Sequence, residues 1–242
     1  MLSFKGFLAL SETEADLLVE GGNIWKGDLA TQRIKQADVA STVKWLEQVT
    51  GLPLVDNMIG STGKTPSSSD IDLVIDAEKV NKDQFAAKLL AWSKTNDPKA
   101  LVKKGGISVH FRTPVNGAAR NGYVQTDFMF LSDLNFVKWS TTPTAKSNYK
   151  AVFRTILLAS VAKALGLRWS YMHGLTMRTS DNALRGGKDP DHIAKTLLGP
   201  SAGAKDIESV ESIMAKLQDD PQREEKIADA KETFAKFNYR LS

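Results

Sequence analysis

Gly60-Ser61-Thr62-Gly63-Lys64-Thr65-Pro66-Ser67-Ser68-Ser69-Asp70-Ile71-Asp72-Leu73-Val74-Ile75-Asp76 is the stretch on which the reading of this chain turns. Its first half is a loop of small residues whose backbone amides can approach a phosphate closely. Its second half alternates acid and aliphatic with period two, the pattern of a strand with one buried face. That pattern predicts Ile71, Leu73 and Ile75 in a core, with Asp70 and Asp72 side by side on the opposite face. Two carboxylates so close repel one another unless a positive charge lies between them, and a divalent cation is the obvious candidate. Asp76 shares their face but closes the strand, where a surface acid is expected.

Upstream of this stretch, Leu8, Leu10, Leu17 and Leu18 suggest a short helix around Ser11–Val19, broken by Gly21-Gly22, to which no function attaches. Val39, Val43, Leu46 and Val49 have helical spacing and predict a helix over Ala37–Val49, ended by Gly51 and Pro53. The short apolar run Leu54–Ile59 reads as a first strand, neighbour in one sheet to Asp70–Asp76. Downstream, Asn81–Ser93 reads as an amphipathic helix. Ala100–Lys104 and Ile107–Phe111, separated by Gly105-Gly106, read as a hairpin. Tyr123–Leu131 is a further strand, and these last three are expected to extend the sheet in antiparallel fashion.

The character of the chain changes near Trp139. Thr141–Thr144 reads as a polar linker around Pro143, followed by a long helix over Lys146–Leu165 that Gly166 ends. Trp169–Thr179 is ambiguous between a hairpin and irregular structure. Three short helices follow: one from Asp189-Pro190 to Gly199-Pro200, one over Asp206–Leu217, and one from Asp220-Pro221. The predicted organisation is therefore α+β over residues 1–140 and a helical half over residues 141–242.

Composition removes several classes. The chain of 242 residues is 42% hydrophobic and 25% charged, ordinary for a globular protein long enough to bury a real core. With no cysteine, a disulfide framework, a thiolate zinc site and a cysteine nucleophile are excluded. The three histidines, His110, His173 and His192, show no metal-ligand spacing. No run approaches the roughly 20 apolar residues of a membrane span. The N-terminus lacks the features of a signal peptide, so a cytoplasmic protein with no membrane partner is expected. The net charge of +4 is unevenly spread: nine bases (Lys138, Lys146, Lys150, Arg154, Lys163, Arg168, Arg178, Arg185, Lys188) stand against one acid, Asp181, between residues 138 and 188. That excess suits an anionic partner such as a triphosphate or a nucleic acid, or a merely solvated basic surface.

Two motifs compete for the loop. Gly63-Lys64-Thr65 looks like the end of a Walker A loop, but that motif needs glycine where Met58 stands and a helix where Pro66 and three serines follow. The other motif is Gly60-Ser61 followed, after eight residues, by Asp70-Ile71-Asp72 on an apolar strand. A further acid belongs with it on physical grounds. Val124, Phe128 and Phe130 mark one face of the Tyr123–Leu131 strand as buried, leaving Asp127 on the other, and a mid-strand acid is costly unless solvated, paired or bound to metal.

Gly60-Ser61, Ser69-Asp70-Ile71-Asp72-Leu73 and Thr126-Asp127-Phe128-Met129-Phe130 together resemble the DNA polymerase beta-like nucleotidyltransferase superfamily, which includes CCA-adding enzymes, poly(A) polymerases and antibiotic adenylyltransferases. The resemblance covers about residues 37–135, and its Gly-Ser to Asp-x-Asp spacing is short for the superfamily, leaving little room for a helix after Ser61. It implies a small mixed or antiparallel sheet flanked by helices, and an enzyme that moves a nucleoside monophosphate from an NTP to an acceptor hydroxyl. It also implies two Mg²⁺ or Mn²⁺ ions held by Asp70 and Asp72, with Asp127 completing one shell and helping to activate the acceptor. Gly60, Ser61 and Gly63 would hold the β- and γ-phosphates, with Lys64 as an added charge. Lys146, Lys150 and Arg154, spaced i, i+4, i+8 on the helix predicted after the third acid, would meet the triphosphate. Trp139, Tyr149, Trp169 and Tyr171 are available to stack a base, though such spacings also suit a core. The basic second half favours a nucleic-acid acceptor such as an RNA or tRNA end. A small molecule or a protein, as for a toxin-like enzyme, is the alternative. A non-catalytic nucleic-acid-binding or assembly module is a further class, disfavoured because converging carboxylates cost stability that a retired site does not recover.

Overall fold

In the computed structural model, which describes residues 24–60, 62–142, 144, 147–177 and 184–241, the alternation at Asp70–Asp76 is a strand, as the pattern requires. The expected helix at Ser11–Val19, together with Ser61, Pro143, Lys146, Arg178 and Asp181, lies outside the described residues. The architecture is α+β, with seven α-helices, one mixed sheet and two small antiparallel sheets among the described residues. The chain divides into two units between Lys138 and Trp139.

In the first unit, α1 (Gln36–Thr50) buries Val39, Val43 and Leu46, and Gly51 ends it by donating its N–H to the Glu47 carbonyl. α2 (Lys82–Asn96) starts on Asn81, whose side-chain oxygen accepts from the N–H groups of Asp83 and Gln84. A two-residue ribbon, β1 (Ile34–Lys35) with β2 (Ser67–Ser68), ties the entrance of α1 to the far end of the glycine loop. The main sheet is built from β3 (Asp70–Asp76), β4 (Val102–Gly105), β5 (Ser108–Pro114) and β6 (Tyr123–Leu131) in the order β3-β6-β5-β4. β5 pairs antiparallel with both β4 and β6, while β3 lies parallel to β6.

That parallel pairing needs a long crossover, which α2 and the β4–β5 hairpin supply. One face of the sheet carries Ile71, Leu73, Ile75, Val109, Phe111, Phe128 and Phe130, all buried in one cluster with Val39, Val43 and Leu46 of α1 and Phe85 and Leu89 of α2. Phe85 meets Phe128 and Phe130 edge-on at 4.8 and 5.4 Å between centroids, a favoured aromatic geometry. The apolar face thus belongs to the helices, and the acids are left on the other.

The segment Leu54–Ile59 is not the strand that its apolar run predicts. Residues Val55–Asn57 form a 3₁₀ turn, and only Met58 makes an isolated antiparallel bridge, to Leu73. The reason is local: the Glu47 carboxylate accepts the N–H groups of Leu54 and Val55 at 2.6 and 3.0 Å, so the run spends its donors on the end of α1 rather than on a ladder. Those two bonds also hold the Glu47 pKa below the usual glutamate value.

The second unit is not purely helical, against the expectation. Leu167–Ser170 (β7), Gly174–Met177 (β8) and Leu184–Gly187 (β9) form a three-stranded antiparallel sheet, so the ambiguous stretch is a hairpin as far as Met177, and Arg178 and Thr179 lie outside the described residues. A helix missing from the sequence reading, α3 (Leu134–Thr141), precedes it. α4 spans Ala151–Ala164 and is shorter at its start than predicted. The Glu211 carboxylate accepts the Ser147 hydroxyl and the Asn148 N–H at 2.9 and 2.8 Å, and the Ser147 oxygen takes the Tyr149 N–H. These bonds hold residues 147–149 in an irregular turn ahead of the helix. α5 (Pro190–Leu198) is capped by Asp189 as its Asp-Pro start predicts. The predicted Asp206–Leu217 helix is split, because Ser209 caps a new helix, α6 (Val210–Lys216), after a 3₁₀ turn at Ala204–Ile207. α7 (Arg223–Lys236) packs on α4, with Ser160 of α4 donating to the Lys226 carbonyl and accepting the Ala230 N–H. No helix among the described residues is long and apolar enough to cross a membrane.

Candidate metal centre

The site follows from strand register. In the parallel pair β3–β6, Asp72 lies directly opposite Asp127, and Asp70 opposite Gln125. Since side chains alternate faces along a strand, Asp70, Asp72 and Asp127 must emerge together on the face away from α1 and α2. Each carboxylate offers one oxygen, and those three oxygens lie within 4.8 Å of one another. Residues more than fifty positions apart in sequence are thereby joined.

The electrostatics show what such a cluster costs. Burial, followed by repulsion from Asp127, pushes the Asp70 pKa up to about 6, against weaker opposition from the Ser69 hydroxyl and the nearby Arg33. Asp72 is driven well above the usual carboxylate range by burial and by both neighbouring acids. Three hard oxygen donors at this separation, with Asp70 and Asp72 disfavoured as bare anions, fit an oxygen-ligated divalent cation such as Mg²⁺ or Mn²⁺.

The glycine loop is clipped to the middle of β3. Ile59 donates its N–H to the Asp72 carbonyl at 3.1 Å, and the Asp72 N–H donates to the Thr62 hydroxyl at 2.9 Å. Thr62 is buried, so this second bond is shielded from water. Gly60 sits between these two anchors with φ +61°, and a Cβ added there would stand 3.3 Å from Asp72 Oδ2. Only glycine suits both the left-handed backbone and the close approach to the carboxylate. Gly63 also has positive φ, and its carbonyl accepts from the Gln36 side chain at 2.9 Å. Lys64, which is exposed, turns back to donate to the Gly60 carbonyl at 3.2 Å. Thus the structure brings Gly60 against Asp72 and Lys64 onto the Gly60 carbonyl, whereas Gly63 lies against Val39 and Met58, and Ser61 lies outside the described residues.

Two neighbours of Asp127 were invisible to the sequence reading. His110, opposite Asp127 on β5, places Nδ1 2.7 Å from its Oδ1, and Gln125 Nε2 donates to Oδ2 at 3.0 Å. Their only sequence signal is parity: Gln125 shares Asp127's face at i−2, whereas the register that brings His110 alongside is not written in local pattern.

Other expected residues have internal uses. Arg154 is buried and donates to the carbonyls of Trp139, Ser140 and Glu208 at 2.6, 2.6 and 2.9 Å, with burial pulling its pKa down to about 10. Lys150 is the N-terminal flanking residue of α4 and is exposed. Lys150 thus stands ahead of the helix and Arg154 is buried within it, so these two do not share the expected exposed stripe, and Lys146 lies outside the described residues. Trp169 and Tyr171 are buried in the core of their unit. Asp76 pairs with Lys79 at 2.9 Å, as a strand-end surface acid would. Compared with models of known protein families and with curated proteins, the sequence matches none.

Proposed function

We propose that this protein is a metal-dependent nucleotidyltransferase that moves a nucleoside monophosphate from an NTP such as ATP to an acceptor hydroxyl and releases pyrophosphate. The observation that carries this reading is the convergence of Asp70, Asp72 and Asp127 within 4.8 Å, beside a glycine loop hydrogen-bonded to the backbone of Asp72. A phosphate loop and a metal-holding strand are the two parts that an in-line attack on an α-phosphate requires. When bound, two Mg²⁺ or Mn²⁺ ions would offset the charge of the carboxylates and the triphosphate and lower the pKa of the acceptor hydroxyl. Asp70 and Asp72 hold that charge from β3. Asp127, across the strand pair, orients the acceptor and assists loss of its proton. The loop amides of Gly60 and Gly63, with Lys64, receive the β- and γ-phosphates, so that the bond between the α-phosphorus and the departing pyrophosphate oxygen breaks as the new P–O bond forms.

A nucleic-acid end, such as that of an RNA or tRNA, is the acceptor class favoured by the basic stretch from Lys138 to Lys188. Within it Arg154 is spent internally and Lys163 pairs with Asp229, so the test offers every acceptor class. The full chain is incubated with each α-labelled NTP, Mg²⁺ or Mn²⁺, and total RNA, DNA, protein or small hydroxyl compounds. Label transfer that Asp70→Ala and Asp127→Ala both abolish is the expected result. Absence of both transfer and metal-dependent NTP binding refutes the proposal.

A further inference from the structure

Asp127 differs from the other two acids in how it is held. The side-chain donor to Asp70 is the adjacent Ser69 hydroxyl, in a weak bond of 3.2 Å, while both Asp127 oxygens are engaged by side chains of β5 and β6. The direction of each bond is determined by chemistry. Gln125 accepts the Ile24 N–H through Oε1 at 2.8 Å, and an amide N–H can only donate, so the Gln125 NH₂ must face Asp127. The carboxylate accepts from it on Oδ2 at 3.0 Å. On the other side, a carboxylate oxygen cannot donate, so the His110 nitrogen facing Oδ1 carries a proton.

The surroundings keep these donors in place. Gln125 is buried, and only 15% of the His110 side chain is exposed. Gly105 on β4 leaves the space that the imidazole edge fills: a Cβ there would stand 3.2 Å from His110 Nε2. A ring confined on one side by backbone and on the other by a carboxylate has little rotational freedom.

We infer that His110 and Gln125 are a two-sided clamp that presets the Asp127 carboxylate as a metal ligand, with Ile24 fixing the orientation of the Gln125 amide. This deepens the proposed function, since it rests on the metal site assigned there. Both are positioning residues, acting through Asp127. Partners of this kind typically change metal affinity by about 10–100-fold, because an unheld carboxylate must be ordered at the moment of binding.

The test is Mn²⁺ affinity of the full chain without nucleotide, read from loss of the free-ion paramagnetic resonance signal. His110→Leu and Gln125→Leu each remove one donor, and His110→Asn keeps one, since an asparagine amide nitrogen occupies the place of the imidazole Nδ1. The Leu variants are expected to bind Mn²⁺ about tenfold more weakly, and His110→Asn within about threefold of wild type. Circular dichroism and melting confirm folding, and if His110→Leu does not fold, Gln125→Leu and His110→Asn carry the comparison. Leu variants that bind within twofold of wild type, or an Asn variant as weak as His110→Leu, overturn the clamp. Asp70→Ala and Asp127→Ala separate this from the larger reading: if they leave Mn²⁺ affinity unchanged, the metal site itself falls. If they abolish it while the Leu variants bind normally, only the clamp falls. Mn²⁺ binding that follows the expected order without any nucleotidyl transfer keeps the clamp and removes the enzyme.

Discussion

Replacing Asp70 by Asn should stabilise the metal-free protein at neutral pH, and the size of the effect follows from the site. The Asp70 pKa rises from 3.8 in the free side chain to about 6 in the fold, first through burial and then through Asp127. Roughly two units at about 1.4 kcal/mol each amounts to about 3 kcal/mol of destabilisation for the ionised form. Asp70 is only 8% exposed, so solvent screens little of this. The sign follows from proton binding: between these two pKa values the folded state holds the proton and the unfolded state does not. Stability contributed by Asp70 is therefore greatest below pH 4, falls as pH rises through about 6, and is flat above.

Asn keeps the shape and the acceptor for the Ser69 hydroxyl but carries no charge. Its advantage over wild type should be absent at pH 4 and reach about 2–3 kcal/mol at pH 7.5, or roughly 5–10 °C in melting temperature. Saturating Mg²⁺ should reverse the order, since a cation at a thousand times its dissociation constant stabilises wild type by about 4.1 kcal/mol, whereas the variant has lost a ligand for it. The assay is thermal melting of both proteins in chelator across pH 4–8, repeated with Mg²⁺. An Asn variant less stable than wild type at pH 7.5 in chelator, or a pH-independent difference, refutes the reasoning.

Two further substitutions probe the parts that hold the site. Gly60→Ala should cost about 1–2 kcal/mol for its left-handed backbone, and should weaken Mn²⁺ binding, because the new Cβ would crowd Asp72 Oδ2 at 3.3 Å; unchanged affinity and stability would sink the close-approach argument. Arg154→Met should lower stability in urea by about 2–4 kcal/mol, because three carbonyls lose their donors in a buried setting. A change under 0.5 kcal/mol there would show that the guanidinium is dispensable to the second unit.

Where the local pattern was strong, the structure follows it closely. Tyr123–Leu131 is a strand over the predicted residues, and Asp189-Pro190 opens a helix. Some departures occur where a side chain takes the backbone amides of another segment, as Glu47 does, and one where Ser209 caps a new helix. Glu47 diverts Leu54 and Val55 from a strand, and Glu211 binds Ser147 and Asn148 in the turn that precedes α4. Periodicity reports which side chains are apolar, but it does not report which amides a remote side chain will take.

The same division holds at the site. By itself, the sequence determined that Asp70 and Asp72 share one strand face and that Asp127 lies opposite the buried face of another, because alternation along a strand is a property of the local chain. Only the tertiary structure decided that β3 runs parallel and in register with β6, so that Asp72 faces Asp127, and that β5 delivers His110 to the same carboxylate. Register is set by how Ile71, Leu73, Phe128 and Phe130 pack beneath α1 and α2. The apolar face therefore positions the acids on the face it does not touch.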